Sequence, residues 1–306
     1  MTATTTPLTF SLPAGTVQRI KTHYGEFGEE WLETAIDLIQ QAAASWNVTV
    51  VGCHDRGWAS VVAYGRTADH GNVMIKAVLD PRRYVSELAA LRHWDGVSVG
   101  RVIKADDVRQ IMLLGMVGQV PGGAARPGDH QRRTALRLPS LHRKEAETGG
   151  ANTDVATLFR IEIRPRLERS HQLTDSIGRD LVRAVIETGE RLARTPATRV
   201  MLHGDLYADN IIFDTSGHPV FIDPRGLRGP AEYDWAFWCL YYLETGFDGR
   251  IALLGSLFVD TPTVLQWVAV LAADGVRYHL RVAATATADR LHSIINSEPV
   301  LRALER

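Results

Sequence analysis

Cysteine is scarce in this sequence, which has two, Cys53 and Cys239, among 306 residues. They lie far apart and neither belongs to a Cys-x-x-Cys pair, so a disulfide framework and a zinc site are both disfavoured, and a reducing, cytoplasmic environment is expected. Net charge is also nearly absent, because 34 Lys and Arg face 35 Asp and Glu. Without a basic excess, the chain is not expected to bind nucleic acid.

Long apolar runs are missing as well. The most apolar late stretch, 261–273, is shorter than the roughly 20 residues that a membrane-spanning helix needs. The N-terminal residues lack the basic and apolar regions of a secretory signal. We therefore expect no membrane partner, and a globular protein that is a monomer or a homodimer.

The P-loop signature G-x-x-x-x-G-K-[ST] is absent, which disfavours the enzymes that bind nucleotides through it. The turn 52–57, Gly-Cys-His-Asp-Arg-Gly, contains two glycines but lacks the G-x-G-x-x-G spacing of a phosphate-binding loop. It is predicted either to cover phosphates or to be a plain hairpin turn, and the sequence leaves both open.

What the sequence does contain is a succession of short elements that predicts an α+β fold. A helical lead, 11–46, precedes a region with the predicted order β-β-β-α-β-β, which is a meander with one inserted helix. Its strands are predicted at 48–51, 58–64, 73–78, 102–103 and 111–114, and its helix at 82–94.

Glycine then becomes frequent, with four glycines in the nine residues 115–123. This density predicts a linker at 116–123 between an N-terminal lobe, 1–115, and a C-terminal lobe, 124–306. The C-terminal lobe is predicted to be mostly helical, with breaks at 147–150 and at Pro165. A hairpin interrupts it, with strands at 211–213 and 220–222 and a turn rich in turn-forming residues between them.

The polar residues around that hairpin carry the chemistry. His203, Asp205 and Asn210 precede it in the loop 203–210, and Asp223 follows thirteen residues after Asn210. Because the two strands are expected to lie side by side, Asn210 and Asp223 could come close together. Their oxygens are of the type that a hard divalent cation prefers. Asp205 would then remain to accept a proton.

Lys76 ends an apolar strand, and Glu87 follows eleven residues later on the predicted helix. A Lys held by a Glu on a neighbouring helix can present its ammonium to phosphate oxygens. Taken singly, each residue is more often a solvated surface group. Their position ahead of Asp205, Asn210 and Asp223 favours the phosphate-binding interpretation.

The set H-G-D-(x)4-N followed by I-D resembles the catalytic segment of the aminoglycoside phosphotransferases. The continuation 222–234, IDPRGLRGPAEYD, is similar to the I-D-P-(K/E)-(G/P)-L-x-G-D-P-x-x-D run of the streptomycin 6-phosphotransferase and hydroxyurea phosphotransferase branch. Arg225 and Pro230 depart from that run. The resemblance covers most of the chain, although 125–195 match poorly.

This resemblance implies a protein-kinase-like fold of two lobes, and ATP (or GTP) and Mg²⁺ as cofactors. Asp205 would orient or deprotonate an acceptor hydroxyl, while Asn210 and Asp223 would hold Mg²⁺. His203 and Asp234 would be structural, with Asp234 capping a helix and bracing the loop. The implied nucleotide contacts are Lys76 with its partner Glu87, Gly57, Ser60, Gly115 and Val117.

The acceptor is expected to be a hydroxyl-bearing small molecule. Asp209, Glu232 and Tyr242 are candidate contacts, although Tyr242 has the helical spacing of a core residue. Three functions stay open: an antibiotic-inactivating kinase for an aminoglycoside or nucleoside antibiotic, a metabolic kinase for an amino sugar or similar alcohol, and a catalytically silent kinase-like binding module.

Overall fold

The computed structural model describes residues 11–146, 152–195, 198–243 and 245–306. The chain forms two compact units. The first extends to Arg126 and also includes Ile212–Val220, and the second comprises Pro127–Ile211 and Phe221–Arg306. The predicted linker, 116–123, therefore lies inside the first unit.

An antiparallel sheet with the strand order β1-β2-β3-β5-β4 forms the first unit. All five predicted strands and the predicted α+β class are confirmed. Strand β3 is central, and Lys76 on it stands between Val62 of β2 and Met112 of β5. The strands are β1 Thr49–His54, β2 Ser60–Thr67, β3 Gly71–Val78, β4 Val102–Asp106 and β5 Ile111–Gly115.

Helix α1, Ala14–Ser45, packs on this sheet and is kinked at Gly25, where φ is 57° and ψ is −138°. Such a conformation is open to glycine at little cost. The kink divides the predicted helical lead into two helical segments. Ile20, Leu32 and Ile39 of α1 are buried in one core together with sheet residues such as Ile75.

Helix α2, Pro81–Trp94, is the predicted insertion between β3 and β4. Asp80 caps its N-terminus, because its side chain accepts a hydrogen bond from the Arg82 N–H at 2.8 Å. Pro81 suits the first turn, where its missing N–H is not needed. The helix buries Glu87 together with apolar neighbours.

Helices dominate the second unit, as predicted. The longest is α10, Thr261–Arg281, whose ten residues from Val264 to Ala273 are all buried, so it is a central core helix. The helices are α3 His130–Arg137, α4 Val155–Leu158, α5 Arg164–Glu168, α6 His171–Ile177, α7 Arg179–Arg194, α8 Ala231–Tyr241, α9 Phe247–Ser256, α10, α11 Thr285–Ile295 and α12 Glu298–Leu304. Two short strands, β6 Val200–Leu202 and β9 Leu227–Gly229, pair antiparallel.

Pro165 does not break the helical pattern, contrary to the sequence-based prediction. A π-helical turn, Phe159–Ile163, joins α4 to α5, and Pro165 lies at the start of α5. In this π turn the Arg164 N–H donates to the Phe159 carbonyl, five residues earlier, just before Pro165. The other predicted break, 147–150, lies outside the described residues.

The predicted hairpin is confirmed as β7 Ile211–Phe213 and β8 Pro219–Phe221. It contacts the glycine-rich stretch of the first unit, since the Ala124 N–H donates to the Phe213 carbonyl at 2.7 Å. A Cβ on Gly123 would lie 2.5 Å from that carbonyl oxygen, so this approach requires glycine. Among the described residues, no helix is long and apolar enough to cross a membrane.

Candidate active site

The loop 203–210 begins directly after β6 and is fixed by one buried carboxylate. The N–H groups of His203 and Gly204 donate to Asp234 Oδ2 and Oδ1, each at 2.8 Å. Gly204 has a φ of 73°, and a Cβ there would lie 2.8 Å from Leu227 Cδ1. A larger residue would therefore be strained and would collide with β9.

Asp234 is fully buried on α8. The prediction that it caps this helix is wrong, because α8 begins at Ala231 and its N-cap is Pro230. Its two oxygens serve the loop instead, and Oδ2 also meets His142 Nε2 at 3.0 Å. His142 was not among the residues singled out from the sequence.

His203 ties the loop to the segment that carries Asp223. Its ring Nε2 lies 3.0 Å from the Ile222 carbonyl, and its own carbonyl accepts a hydrogen bond from the Arg225 N–H at 2.8 Å. The residue is completely buried. The segments before and after the hairpin are thus held together at their bases.

Asn210 is oriented by Asp205. Its Nδ2 donates to the Asp205 main-chain oxygen at 2.8 Å and to Asp205 Oδ2 at 3.0 Å. Since both partners are acceptors, the amide is fixed with its NH₂ group toward Asp205 and its Oδ1 directed away. The main-chain carbonyl of Asn210 accepts a hydrogen bond from the Ile222 N–H at 2.9 Å. Asp223 is therefore the residue after the one that is hydrogen-bonded to Asn210.

The side-chain oxygens of Asn210 and Asp223 suit a magnesium ion. An amide oxygen and a carboxylate are hard ligands, and Mg²⁺ usually takes only one or two protein groups and fills its shell with water and substrate phosphates. Asp223 has a left-handed backbone with a φ of 58°, an unusual conformation for a residue other than glycine or asparagine. Over the described ranges, no three or more His, Cys, Asp and Glu side chains cluster into a metal site built from protein alone.

The predicted acceptor contacts differ in their exposure. Asp209 is exposed and Glu232 is half-buried. Tyr242 is fully buried, and its hydroxyl lies 2.8 Å from His130 Nδ1. The structure therefore places Tyr242 in the core of the second unit and not on a surface that a substrate reaches.

Tyr207 is a candidate that sequence reasoning missed. It is 42% exposed, and its ring packs against Phe237 and Tyr241, each with a centroid distance of 5.2 Å. Partial burial and then the charge of Asp205 raise its pKa, so its hydroxyl is a hydrogen-bond donor at neutral pH. Its position two residues after Asp205 was the available signal.

Within the first unit, Lys76 and Glu87 form the predicted ion pair. Lys76 Nζ lies 2.6 Å from Glu87 Oε1, and the two residues are 4% and 1% exposed. A buried pair of this kind is costly to desolvate and contributes little net stability, so its presence is better explained by function.

The turn between β1 and β2 holds the other two nucleotide candidates of this part of the chain. Gly57 and Ser60 are buried. A Cβ on Gly57 would lie 2.0 Å from the Ser60 carbonyl oxygen, so the turn closes too tightly for any other residue. Arg19 of α1 donates to the Gly57 carbonyl at 3.1 Å.

The predicted adenine contacts, Gly115 and Val117, lie at the end of β5. The Gly115 N–H donates to the Arg101 carbonyl at 2.9 Å, and the Met116 N–H donates to Asn72 at 3.1 Å. Val117 is half-buried and is the next residue after Met116.

A second motif, Gly-Val-Ser-Val-Gly at 96–100, has the spelling of the G-x-S-x-G elbow that carries the nucleophile of α/β-hydrolases. Ser98 has a φ of 64° but is only 4% exposed. It also follows helix α2 and precedes strand β4, whereas the elbow joins a strand to a helix. Both facts exclude a hydrolase nucleophile at this position.

Comparison with known proteins agrees with this arrangement. The model of the aminoglycoside/hydroxyurea antibiotic resistance kinase family matches residues 45–241. Streptomycin 6-kinase from Streptomyces griseus is 26% identical over 246 residues, which cover 80% of this chain and 78% of that protein. An Enterococcus faecium protein named "Probable ketoamine kinase" is 31% identical over 147 residues, 40% of this chain and 53% of that protein.

Among solved structures, a thermostable mutant of aminoglycoside phosphotransferase APH(4)-Ia in ternary complex with ADP and hygromycin B has a TM-score of 0.58 and 12% identity. The match covers 86% of this chain and 97% of that one. At this identity the likeness concerns the fold, which is that of the protein-kinase-like phosphotransferases. The family match extends over more than half of the sequence and includes the loop 203–210 and Asp223. The chain therefore belongs to the aminoglycoside/hydroxyurea antibiotic resistance kinase family.

Proposed function

We propose that this protein transfers a phosphoryl group from Mg-ATP, or Mg-GTP, to a hydroxyl of a small molecule, with Asp205 as its catalytic residue. The observation that carries the proposal is the Asp205–Asn210 pair on a loop held by Asp234, with Asp223 on the segment that is hydrogen-bonded to Asn210 through Ile222. It offers a carboxylate for the acceptor and oxygen ligands for a metal. The neighbour with bound ADP supports a nucleotide as donor.

Asp205 acts on the acceptor. Its Oδ2 is held by Asn210, so the carboxylate has a fixed direction before substrate binds. Phosphoryl transfer has a loose transition state in which the hydroxyl proton leaves late, so the carboxylate mainly orients the hydroxyl and then takes its proton. Fixed orientation lowers the entropic cost of reaching the transition state.

Asn210 and Asp223 hold the magnesium ion, which supplies charge neutralisation on the phosphate oxygens when it is bound. The Asn210 amide needs no rotation for this, because its Nδ2 is already committed to Asp205. Asp205 and Asn210 thus have separate tasks although they touch. The carboxylate serves the acceptor and the amide oxygen serves the metal.

Lys76 binds the α- and β-phosphates in this proposal. Glu87 keeps its ammonium in place within a buried environment, where a hydrogen bond to a charged group is stronger than in water. Gly115 and Val117 are assigned to the adenine, and Gly57 and Ser60 to the turn that covers the phosphates.

For the acceptor we propose an antibiotic hydroxyl, as in the streptomycin 6-kinase that this chain resembles over 80% of its length. Asp209 of the loop 203–210 and Glu232 in the first turn of α8 carry negative charge that suits an aminated or guanidinated sugar. A second candidate is an amino sugar or ketoamine, because the relative named "Probable ketoamine kinase" is 31% identical over its shorter match.

The chemical assignment is tested with Asp205→Asn. We expect this variant to bind Mg-ATP like the wild type while turnover falls by about 10²–10⁴-fold, the usual contribution of a positioned acid–base group. Nucleotide affinity is measured by calorimetry and turnover by ADP release. Turnover at the wild-type level would refute the role of Asp205.

The acceptor is tested by a panel that contains streptomycin, other aminoglycosides, hydroxyurea, nucleoside antibiotics and ketoamine sugars. Phosphorylated product is identified by mass spectrometry. Product from streptomycin or another antibiotic supports the first candidate, and product from ketoamines alone supports the second. If the protein neither binds the nucleotide nor forms any phosphorylated product, the catalytically silent binding module is favoured.

A further inference from the structure

The helical lead contacts the turn that covers the phosphates in the proposed function. Three residues of α1, Thr16, Arg19 and His23, have the i, i+3, i+7 spacing of a single helix face, and all three meet the segment 55–58. Nothing in the proposed reaction uses them.

Asp55 of the turn satisfies the start of α1. The helix has Pro13 as its N-cap, which offers no side-chain cap, and no acidic residue lies in its first turn. The Thr16 hydroxyl donates to Asp55 Oδ1 at 3.0 Å. Partial desolvation would raise the Asp55 pKa, but hydrogen bonds from the Thr16 and Arg19 side chains and the Thr16 N–H outweigh it and lower the pKa. Asp55 thus acts as the missing cap from outside the helix.

The first turn of α1 lies close to this carboxylate. A Cβ on Gly15 would lie 2.7 Å from both Asp55 oxygens, so a larger residue would displace the carboxylate from the helix. The close approach fixes the separation between the helix and the turn.

Arg19 holds the other side of the turn. Its Nε donates to the Gly57 carbonyl at 3.1 Å, and its Nη2 donates to Asp55 Oδ1 at 2.9 Å. The same guanidinium lies 5.9 Å from the Trp58 ring centroid. One planar fork therefore spans the turn from its first carboxylate to its last glycine, which a lysine cannot do.

We propose that Arg19 and Thr16 are positioning residues that hold the β1–β2 turn in its nucleotide-binding conformation, so that nucleotide affinity depends on the helical lead. This inference rests on the proposed function, since it assigns the turn to the phosphates. A turn that is ordered before binding loses less conformational entropy when the nucleotide arrives. We call the contacts of Thr16 and Arg19 with this turn the clamp. Removing the clamp raises the KM for the nucleotide and leaves the binding and reaction of the acceptor largely intact.

The test compares Mg-ATP affinity in the wild type, Arg19→Ala, Arg19→Lys and Lys21→Ala. Lys21 is a matched control, because it is a cation on the same helix that pairs with Glu29 of that helix. We expect Kd for Mg-ATP to rise about tenfold in Arg19→Ala, the size of one lost charged hydrogen bond. Arg19→Lys is expected to stay weakened, and Lys21→Ala to bind like the wild type.

Two further measurements separate positioning from simple stability. In a double-mutant cycle of Arg19→Ala and Asp55→Asn, the two losses in Mg-ATP affinity should add incompletely, because both substitutions weaken the Arg19–Asp55 contact. Hydrogen exchange of amides 54–59 should accelerate in Arg19→Ala and not in Lys21→Ala. If Arg19→Ala does not fold, Thr16→Val, which removes one hydroxyl without changing the shape, replaces it in both measurements.

Wild-type affinity in a folded Arg19→Ala, or the same loss in Lys21→Ala, would overturn the clamp while leaving the kinase function in place. A wild-type protein that does not bind Mg-ATP would overturn the clamp and the proposed function together. The two failures are therefore distinguishable.

Discussion

At the scale of single residues, the shape of the loop 203–210 depends on which atoms face Asp234. Two successive main-chain N–H groups, of His203 and Gly204, point at its two oxygens, and neither donor has access to water. A buried donor that loses its acceptor keeps its full desolvation cost, about 1–3 kcal/mol. The loop is therefore sensitive to a change of a single atom at this position.

Asp234→Asn makes that change. An amide offers one acceptor oxygen and an NH₂ group, so one of the two N–H donors meets another donor. We expect a loss of about 2–4 kcal/mol in the free energy of unfolding, together with reduced turnover. Urea denaturation measures the first quantity. Asp248→Asn, in the exposed first turn of α9, is the control and should cost less than about 1 kcal/mol, because it loses only a helix-dipole interaction. Equal losses in both variants would contradict this account.

The sequence singles out Asp205, Asn210 and Asp223 as candidate site residues, because they follow one another in a distinctive spacing. It could not identify His142, which meets Asp234 from 92 residues away. It also suggested that Asp234 caps a helix, whereas α8 begins three residues earlier, at Ala231, and the ends of helices are the part that differs most between assignments. Contacts set by tertiary packing leave no local pattern to detect.

At the scale of elements, α7 approaches the π-helical turn through a glycine. A Cβ on Gly189 would lie 2.2 Å from the ring of Phe159, which is completely buried. Strands of the first unit were predictable, because short apolar runs bounded by glycine-containing turns are a local signal. The π turn was not, because no pattern in the residues 159–163 distinguishes an i→i−5 hydrogen bond from an i→i−4 one.

Gly189→Ala sets helix propensity against packing. Alanine favours the helix by up to about 1 kcal/mol, but an overpacked core costs typically about 1–3 kcal/mol, so we expect net destabilisation. Gly249→Ala in α9 is the matched control, because no heavy atom lies within 4 Å of the added Cβ. That variant should be more stable by about 0.5 kcal/mol. Thermal unfolding of the two variants would contradict the packing argument if both gained stability.

At the scale of the whole molecule, the chain divides into units that are discontinuous in sequence. The hairpin residues Ile212–Val220 belong to the first unit, although in the sequence they directly follow the loop 203–210 and Ile211 of the second unit. The sequence predicted the hairpin itself but placed it in the C-terminal lobe, since nothing in its own residues indicates that Phe213 binds the main chain of Ala124. This hydrogen bond joins two main-chain groups. Since every residue type except proline carries both groups, the bond leaves no signal in the sequence.

Ligand binding is expected to stabilise the folded chain through Mg²⁺. At a Mg-ATP concentration of 100 times Kd, mass action contributes about 2.7 kcal/mol, which corresponds to a rise in Tm of roughly 5 °C for a chain of this size.

Chelation with EDTA should remove most of the rise, because ATP without the metal repels Asp205 and Asp223. Asp223→Asn should lose most of it even with Mg²⁺ present, since a neutral amide replaces a charged ligand. Asp214→Asn, in the hairpin turn, removes a carboxylate that bonds to His218 and Ser216 and should keep the full rise. Differential scanning calorimetry measures all four conditions, and an Asp223→Asn variant that keeps the full rise with Mg²⁺ present would rule out Asp223 as a metal ligand.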